Sequence, residues 1–197
     1  MIDCYQIIHQ FYTPGYPDHD ILVTHSEQVA GLAVRLGRRL KACHPELGID
    51  LDFVREAAML HDVAIYQTNA PGIGCYGREP YIRHGVLGRA LLEQMGLPRH
   101  ALVCERHTGS GISMADIKRQ QLPLPEHDML PQNLEEKLVC YADKFFSKSH
   151  IHRMKTMEKA REQLKKYGDD SVRRFDELVA LFGLPDEKWD IKTINKI

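Results

Sequence analysis

The chain has 197 residues, enough to bury a hydrophobic core without disulfides, and its 43% apolar and 27% charged residues are ordinary for a globular protein. A formal net charge of -1 supplies no bulk attraction for nucleic acid or an anionic membrane surface, so neither is expected as a partner. Five scattered cysteines, none in a C-x-x-C pair, fit free thiols in a reducing, cytoplasmic compartment. The first residues lack the basic and then apolar pattern of a signal peptide, and no apolar run is long enough to cross a bilayer. One number stands out. Eleven histidines is high for this length, and histidine is the commonest metal ligand.

Taken in chain order, the apolar spacing is helical. Ile21, Val29, Leu32, Ala33, Leu36 and Leu40 predict a helix over about 20–40, with Asp18 or Asp20 as cap and Pro45 beyond its end. Phe53, Ala57 and Leu60 predict a second over about 51–61, capped by Asp50. The stretch YQTNAPGIGCYGREP, about 66–80, is punctuated by glycine and proline and reads as an irregular loop. Helices follow over about 81–95, 98–105 and 113–120, then a proline-rich connection and a strong helix over about 134–147. Charged amphipathic helices over about 155–167 and 170–182 close the chain, in a tail of about 153–184. That tail can serve as a dimer surface, a lid or a cover for the core. No repeat, low-complexity tract or strand alternation is evident. The expected fold is all-α, a helical bundle in one domain over 1–197 with its core at about 20–150.

The chemistry starts from His61-Asp62, which ends a predicted helix. Adjacent residues on a regular helix diverge by about 100°, but at a fraying end both side chains can turn to one point. An imidazole and a carboxylate then offer a divalent cation one nitrogen and two oxygens. Taken alone, the pair reads more readily as ordinary surface. Asp143 lies among Leu138, Val139, Tyr141, Ala142, Phe145 and Phe146, where a buried carboxylate needs a cation or several donors. Its alternative is a salt bridge to Lys144, Lys148 or an arginine. His25 lies near the start of the long first helix. His84 opens a helix after the loop and His107 closes another, and each by itself also reads as a capping residue.

The order H … HD … H … H … D on successive helices resembles the HD-domain superfamily of metal-dependent phosphohydrolases, over about 20–150. The resemblance implies that His25, His61, Asp62 and Asp143 hold one divalent ion. In the binuclear branch it implies that His84 and His107 hold a second, with Asp62 bridging. Some branches carry an acid shortly after the HD pair, where this chain has Val63, Ala64, Ile65 and Tyr66. The cyclic-dinucleotide branch carries a lysine where Ile65 stands, and paired histidines where His107 is followed by Thr108. RHTGSGIS and EEKLVCYADKFFSK are closer to small binuclear members, among them bacterial symmetrical diadenosine-tetraphosphate hydrolases.

By this likeness the cofactor is two divalent metal ions, iron ahead of manganese, zinc, nickel or cobalt. The reaction is hydrolysis of a nucleotide or other small phosphate ester by a metal-bridging hydroxide, with Asp62, His61 and Asp143 as its catalytic centre. Two alternatives stay open: a di-iron oxygenase on the same scaffold, and a catalytically silent nucleotide-binding sensor. Arg83, Arg106, Lys144 and Lys148 are candidate substrate cations, though each reads equally as solvated or paired within the fold. Tyr76 and Tyr81 are candidates to stack on a base, His100 and His127 are spare acids, and the 66–80 loop is a candidate cover for the substrate.

Overall fold

The N-terminus makes a short helix that the apolar spacing did not reveal. In the computed structural model, which describes residues 2–186 and 189, Asp3 accepts from the backbone N–H of Gln6 and starts α1 (Cys4–Ile8). The long helix α2 (Pro17–Cys43) begins earlier than expected, because Pro17 at its first position is already set for helical φ. Asp18 and Asp20 therefore lie inside its first turn, where they complement the helix dipole rather than cap it. Its inner face buries Leu22, His25, Val29, Leu32 and Leu36. Asp50 caps α3 (Leu51–Leu60) by accepting from Phe53 N at 3.0 Å, as expected.

The loop after α3 holds short 3-10 turns and one antiparallel pair, β1 (Asn69–Ala70) with β2 (Cys75–Tyr76). Strands of two residues are too short for side-chain alternation to mark them in the sequence. Helices α4 (His84–Gln94) and α5 (Pro98–Arg106) pack closely. A Cβ on Gly85 would lie 2.7 Å from the Cys104 carbonyl oxygen, so this glycine lets the start of α4 press on the end of α5. A capping box between Ser113 and Asp116 starts α6 (Met114–Gln120), and Asn133 caps α7 (Leu134–Asp143).

Helix α7 stops at Asp143 rather than continuing to about 147. Lys144, Phe145 and Phe146 each donate their N–H to the carbonyl three residues back, so the chain tightens out of α-geometry there. The tail forms α8 (Met157–Leu164), capped by Thr156, a 3-10 turn and α9 (Asp169–Phe182). Val172, Phe175, Leu178 and Phe182 of α9 join the same core cluster as Ile8, Leu32, Leu60 and Val139. Tyr141 fixes this docking: its ring meets Phe145, Phe175 and Phe182, and its hydroxyl donates to Gly183 O at 2.9 Å. Each such ring contributes about 2–3 kcal/mol by burial. The bundle is all-α apart from the two-residue pair, and among the described residues no helix is long and apolar enough to cross a membrane.

Gly85→Ala is expected to destabilise the fold by about 2 kcal/mol, read as a lowered Tm, because helix backbone rather than a flexible side chain occupies the space. Gly72→Ala, with nothing within 4 Å of its Cβ, is the control and should stay within about 0.5 kcal/mol.

Candidate metal centre

Three helix ends and one helix start converge at the centre of the bundle. His61 caps the C-terminus of α3, His107 caps that of α5, Asp143 is the last residue of α7, and His84 is the first of α4. C-terminal helix ends carry partial negative charge, so three of them directed at one place favour a cation. His25, from the third turn of α2, completes the set.

The same local bond orients three of the imidazoles. His61 Nδ1 lies 2.6 Å from Ala58 O, His84 Nδ1 2.7 Å from Tyr81 O, and His107 Nδ1 2.8 Å from Cys104 O. Each bond is to the carbonyl three residues back, and the Tyr81 carbonyl also accepts the backbone N–H of His84. Donation from Nδ1–H leaves the lone pair on Nε2, and every Nε2 points inward. His84 and His107 then face each other Nε2 to Nε2 at 3.1 Å, and His25 and His61 at 3.3 Å. Lone pairs at that separation need a cation or a proton between them.

Asp62 lies at the middle, fully buried. Its Oδ2 is 2.9 Å from His61 Nε2 and 3.2 Å from His25 Nε2, while its Oδ1 is 3.5 Å from both His84 and His107. Asp143 Oδ1 is 3.0 Å from His25 Nε2 and 3.6 Å from His61 Nε2. The donor atoms form two sets, His25–His61–Asp62–Asp143 and Asp62–His84–His107, in each of which all atoms lie within 4.8 Å of one another. Among the described residues neither Asp62 oxygen has a hydrogen bond of sound geometry. A buried carboxylate left so is costly, and the ammonium of Lys148, 2.5 Å from Oδ2, supplies part of the missing positive charge. The donor set and its orphaned oxygens fit bound metal: the buried His/Asp clusters can hold it.

Electrostatics separate the histidines. Burial pushes His84 down to about 3, against the pull of Asp62, and burial also lowers His107. For His61 burial acts the other way from the result: the Asp62 and Asp143 carboxylates outweigh it and raise the imidazole to about 9. Both carboxylates resist burial and stay well below the usual range, Asp62 through His61 and Lys148, Asp143 through Lys144 and the two histidines.

A cavity of about 570 Å³ opens onto this cluster. Lys144 and Lys148 line it, the first 2.6 Å from Asp143 Oδ2, as do Tyr81 and the loop residues Ala70 to Ile73. Arg83 and Arg106 do not line it, which corrects the expectation of substrate cations there. Arg83 pairs with Glu79 at 2.8 Å, and Arg106 Nη1 meets both oxygens of buried Glu136 at 2.9 and 3.0 Å. A partly buried guanidinium already matched to a carboxylate is held by the fold. His100 and His127 likewise lie outside, against Glu56 and Glu105. Tyr76 is 78% exposed and away from the cavity, whereas Tyr81 stacks on His84 at 4.7 Å. Lys155, Gln163, Lys166 and Tyr167 also line the cavity. The sequence reading missed them because a charged tail has the same composition whether its face meets solvent or a cleft.

Residues 22–148 match the family described as HD domain. Similar curated proteins include a tRNA (cytidine(56)-2'-O)-methyltransferase of Picrophilus torridus, 31% identical over 70% of this chain and 35% of the relative. A protein of the same description from Thermoplasma volcanium is 28% identical over 83% of this chain and 42% of its own length. An uncharacterized protein of Methanocaldococcus jannaschii is 34% identical over 62% of this chain and 64% of its own length. The chain thus spans between about a third and two thirds of the relatives it matches. No solved structure matches it.

With His61 at about 9, the metal-free protein carries a proton at Nε2 at pH 7 that metal must displace, while His84 and His107 are already neutral. Metal loading at pH 7 is therefore expected to release about one proton per chain, fading as pH rises through about 9. Calorimetry in buffers of different ionisation enthalpy reads this directly. Equal release at pH 7 and pH 10 would contradict it.

Proposed function

The chain belongs to the HD domain family of metal-dependent phosphohydrolases, and on that premise we propose that it hydrolyses a nucleotide or another small phosphate ester at a binuclear metal centre. The observation that carries the reading is the division of Asp62: one oxygen faces His25 and His61, the other faces His84 and His107. Asp62 would be the ligand shared by both sets, with His25, His61 and Asp143 holding one ion and His84 and His107 the other. Imidazole-rich sets favour iron, manganese, zinc, nickel or cobalt over magnesium, and iron is the first candidate. Metal bound there would supply Lewis acidity for the attack of water on phosphorus.

The chain's own residues do the rest. His61, His84 and His107, locked through Nδ1, hold their lone pairs in place without reorganisation. Lys144 and Lys148, both lining the cavity and both kept charged by the carboxylates beside them, balance the charge of phosphate oxygens. An ammonium-lined cavity favours an anionic substrate, which weighs for phosphate chemistry over activation of dioxygen. Methyl transfer is the described activity of relatives much longer than this chain, and nothing in the His/Asp cluster calls for it.

Metal analysis of anaerobically purified protein is expected to give about two transition-metal ions per chain, and Asp62→Ala, which removes the shared ligand, to lose both. One ion retained in the wild type would sink the binuclear reading and move His84 and His107 to the substrate. Lys148→Ala should keep its metal yet lose about 10²-fold in kcat/KM on a phosphate ester turned over without oxygen. Turnover that requires dioxygen would replace hydrolysis by oxygenation.

A further inference from the structure

The cavity extends beyond the cluster onto a part of the chain outside the family match at 22–148. Lys155, Ala160, Gln163, Leu164, Lys166 and Tyr167 form this wall. Two of the four lysines around the cavity are already matched, Lys144 by Asp143 and Lys148 by Asp62. Lys155 and Lys166 differ from them. Among the described residues neither has a carboxylate in ion-pair range; Lys155 Nζ instead donates to Lys144 O at 3.2 Å, and Lys166 Nζ lies 4.7 Å from the Tyr167 ring centre. The Lys155 backbone N–H donates to Phe145 O at 2.8 Å, which ties the start of the tail to the turn after Asp143.

Positive charge is thus in excess on a concave surface, where an anion is attracted most strongly. Burial pushes the Lys155 ammonium down to about 8; Asp143 opposes this, and the charges of Lys144, Lys148 and Lys166 add to it. The space, about 570 Å³, falls within the range that encloses a whole small-molecule ligand, well beyond one phosphate group. We propose that Lys155 and Lys166 form a second anion subsite holding a phosphate that is not under attack, so that the substrate carries a chain of two or more phosphates. This rests on the phosphohydrolase reading and narrows it: phosphomonoesters lack the group that the second subsite binds.

The test is titration calorimetry on the metal-loaded full chain, at buffered free metal, with two probes that are not hydrolysed: orthophosphate and methylenediphosphonate. Lys155→Ala/Lys166→Ala is expected to weaken the diphosphonate roughly tenfold or more and orthophosphate less than about twofold, without change in metal content or Tm. Lys155→Arg/Lys166→Arg should retain most of the diphosphonate affinity. Lys159→Ala, which removes a lysine of α8 that does not line the cavity, should leave both unchanged and so exclude a bulk-charge effect. Equal weakening of both probes, or no weakening, overturns the second subsite and leaves the hydrolase standing. If metal-loaded wild type binds neither probe and turns over no phosphate ester, the hydrolase reading falls as well.

Discussion

The centre of this molecule depends on one short hydrogen bond made three times. An imidazole at a helix end or turn donates Nδ1–H to the carbonyl three residues behind it, at His61, His84 and His107. The bond fixes the tautomer and the ring angle together. The backbone, rather than a further shell of side chains, therefore aims the lone pairs. That places demands on the packing: the helix ends must arrive within a few ångströms of one another. At one contact, glycine at position 85 is what allows it, since a Cβ there would meet the very carbonyl that holds His107.

Bringing such groups together is costly unless charge is supplied. Asp62 and Asp143 are held as anions by their neighbours despite burial, and Lys144 and Lys148 contribute positive charge from the cavity side. The cavity accordingly meets both kinds of group, the donor side chains His25, His84, His107 and Asp143 and the ammonium groups of Lys144 and Lys148. A cation fits the first and an anion the second. That division of sign suits a reaction in which metal and phosphate meet.

The tail covers the core, one of the uses its amphipathic pattern allowed, and it lines the cavity as well. Its apolar stripe, Val172, Phe175, Leu178 and Phe182, covers the shared core, while Lys155, Ala160, Gln163, Leu164, Lys166 and Tyr167 line the cavity. The family match stops at residue 148, so this wall is where the chain can differ in substrate from others that share the cluster. Docking through Tyr141 joins the two parts: Tyr141 lies two residues before Asp143 and donates to the end of α9.

The sequence alone determined the helical class, the chain order of His25, His61-Asp62, His84, His107 and Asp143, and the caps at Asp50 and the end of α3. These rest on local physics, in which apolar spacing and end chemistry act within a few residues. Short-range signals failed where the competing bonds were marginal: at the two-residue strands, at α1, and at the turn that ends α7 at Asp143 rather than near 147. Only the tertiary structure decided that Asp62 presents one oxygen to each histidine pair. The same is true of the arginines, since Arg106 reaches Glu136 thirty residues away, and of the charged tail, whose Lys155 and Lys166 line the cavity. The physical reason is common to all three. A charge carries no mark of its partner in the sequence, because its partner is chosen by where distant helices bring their ends together.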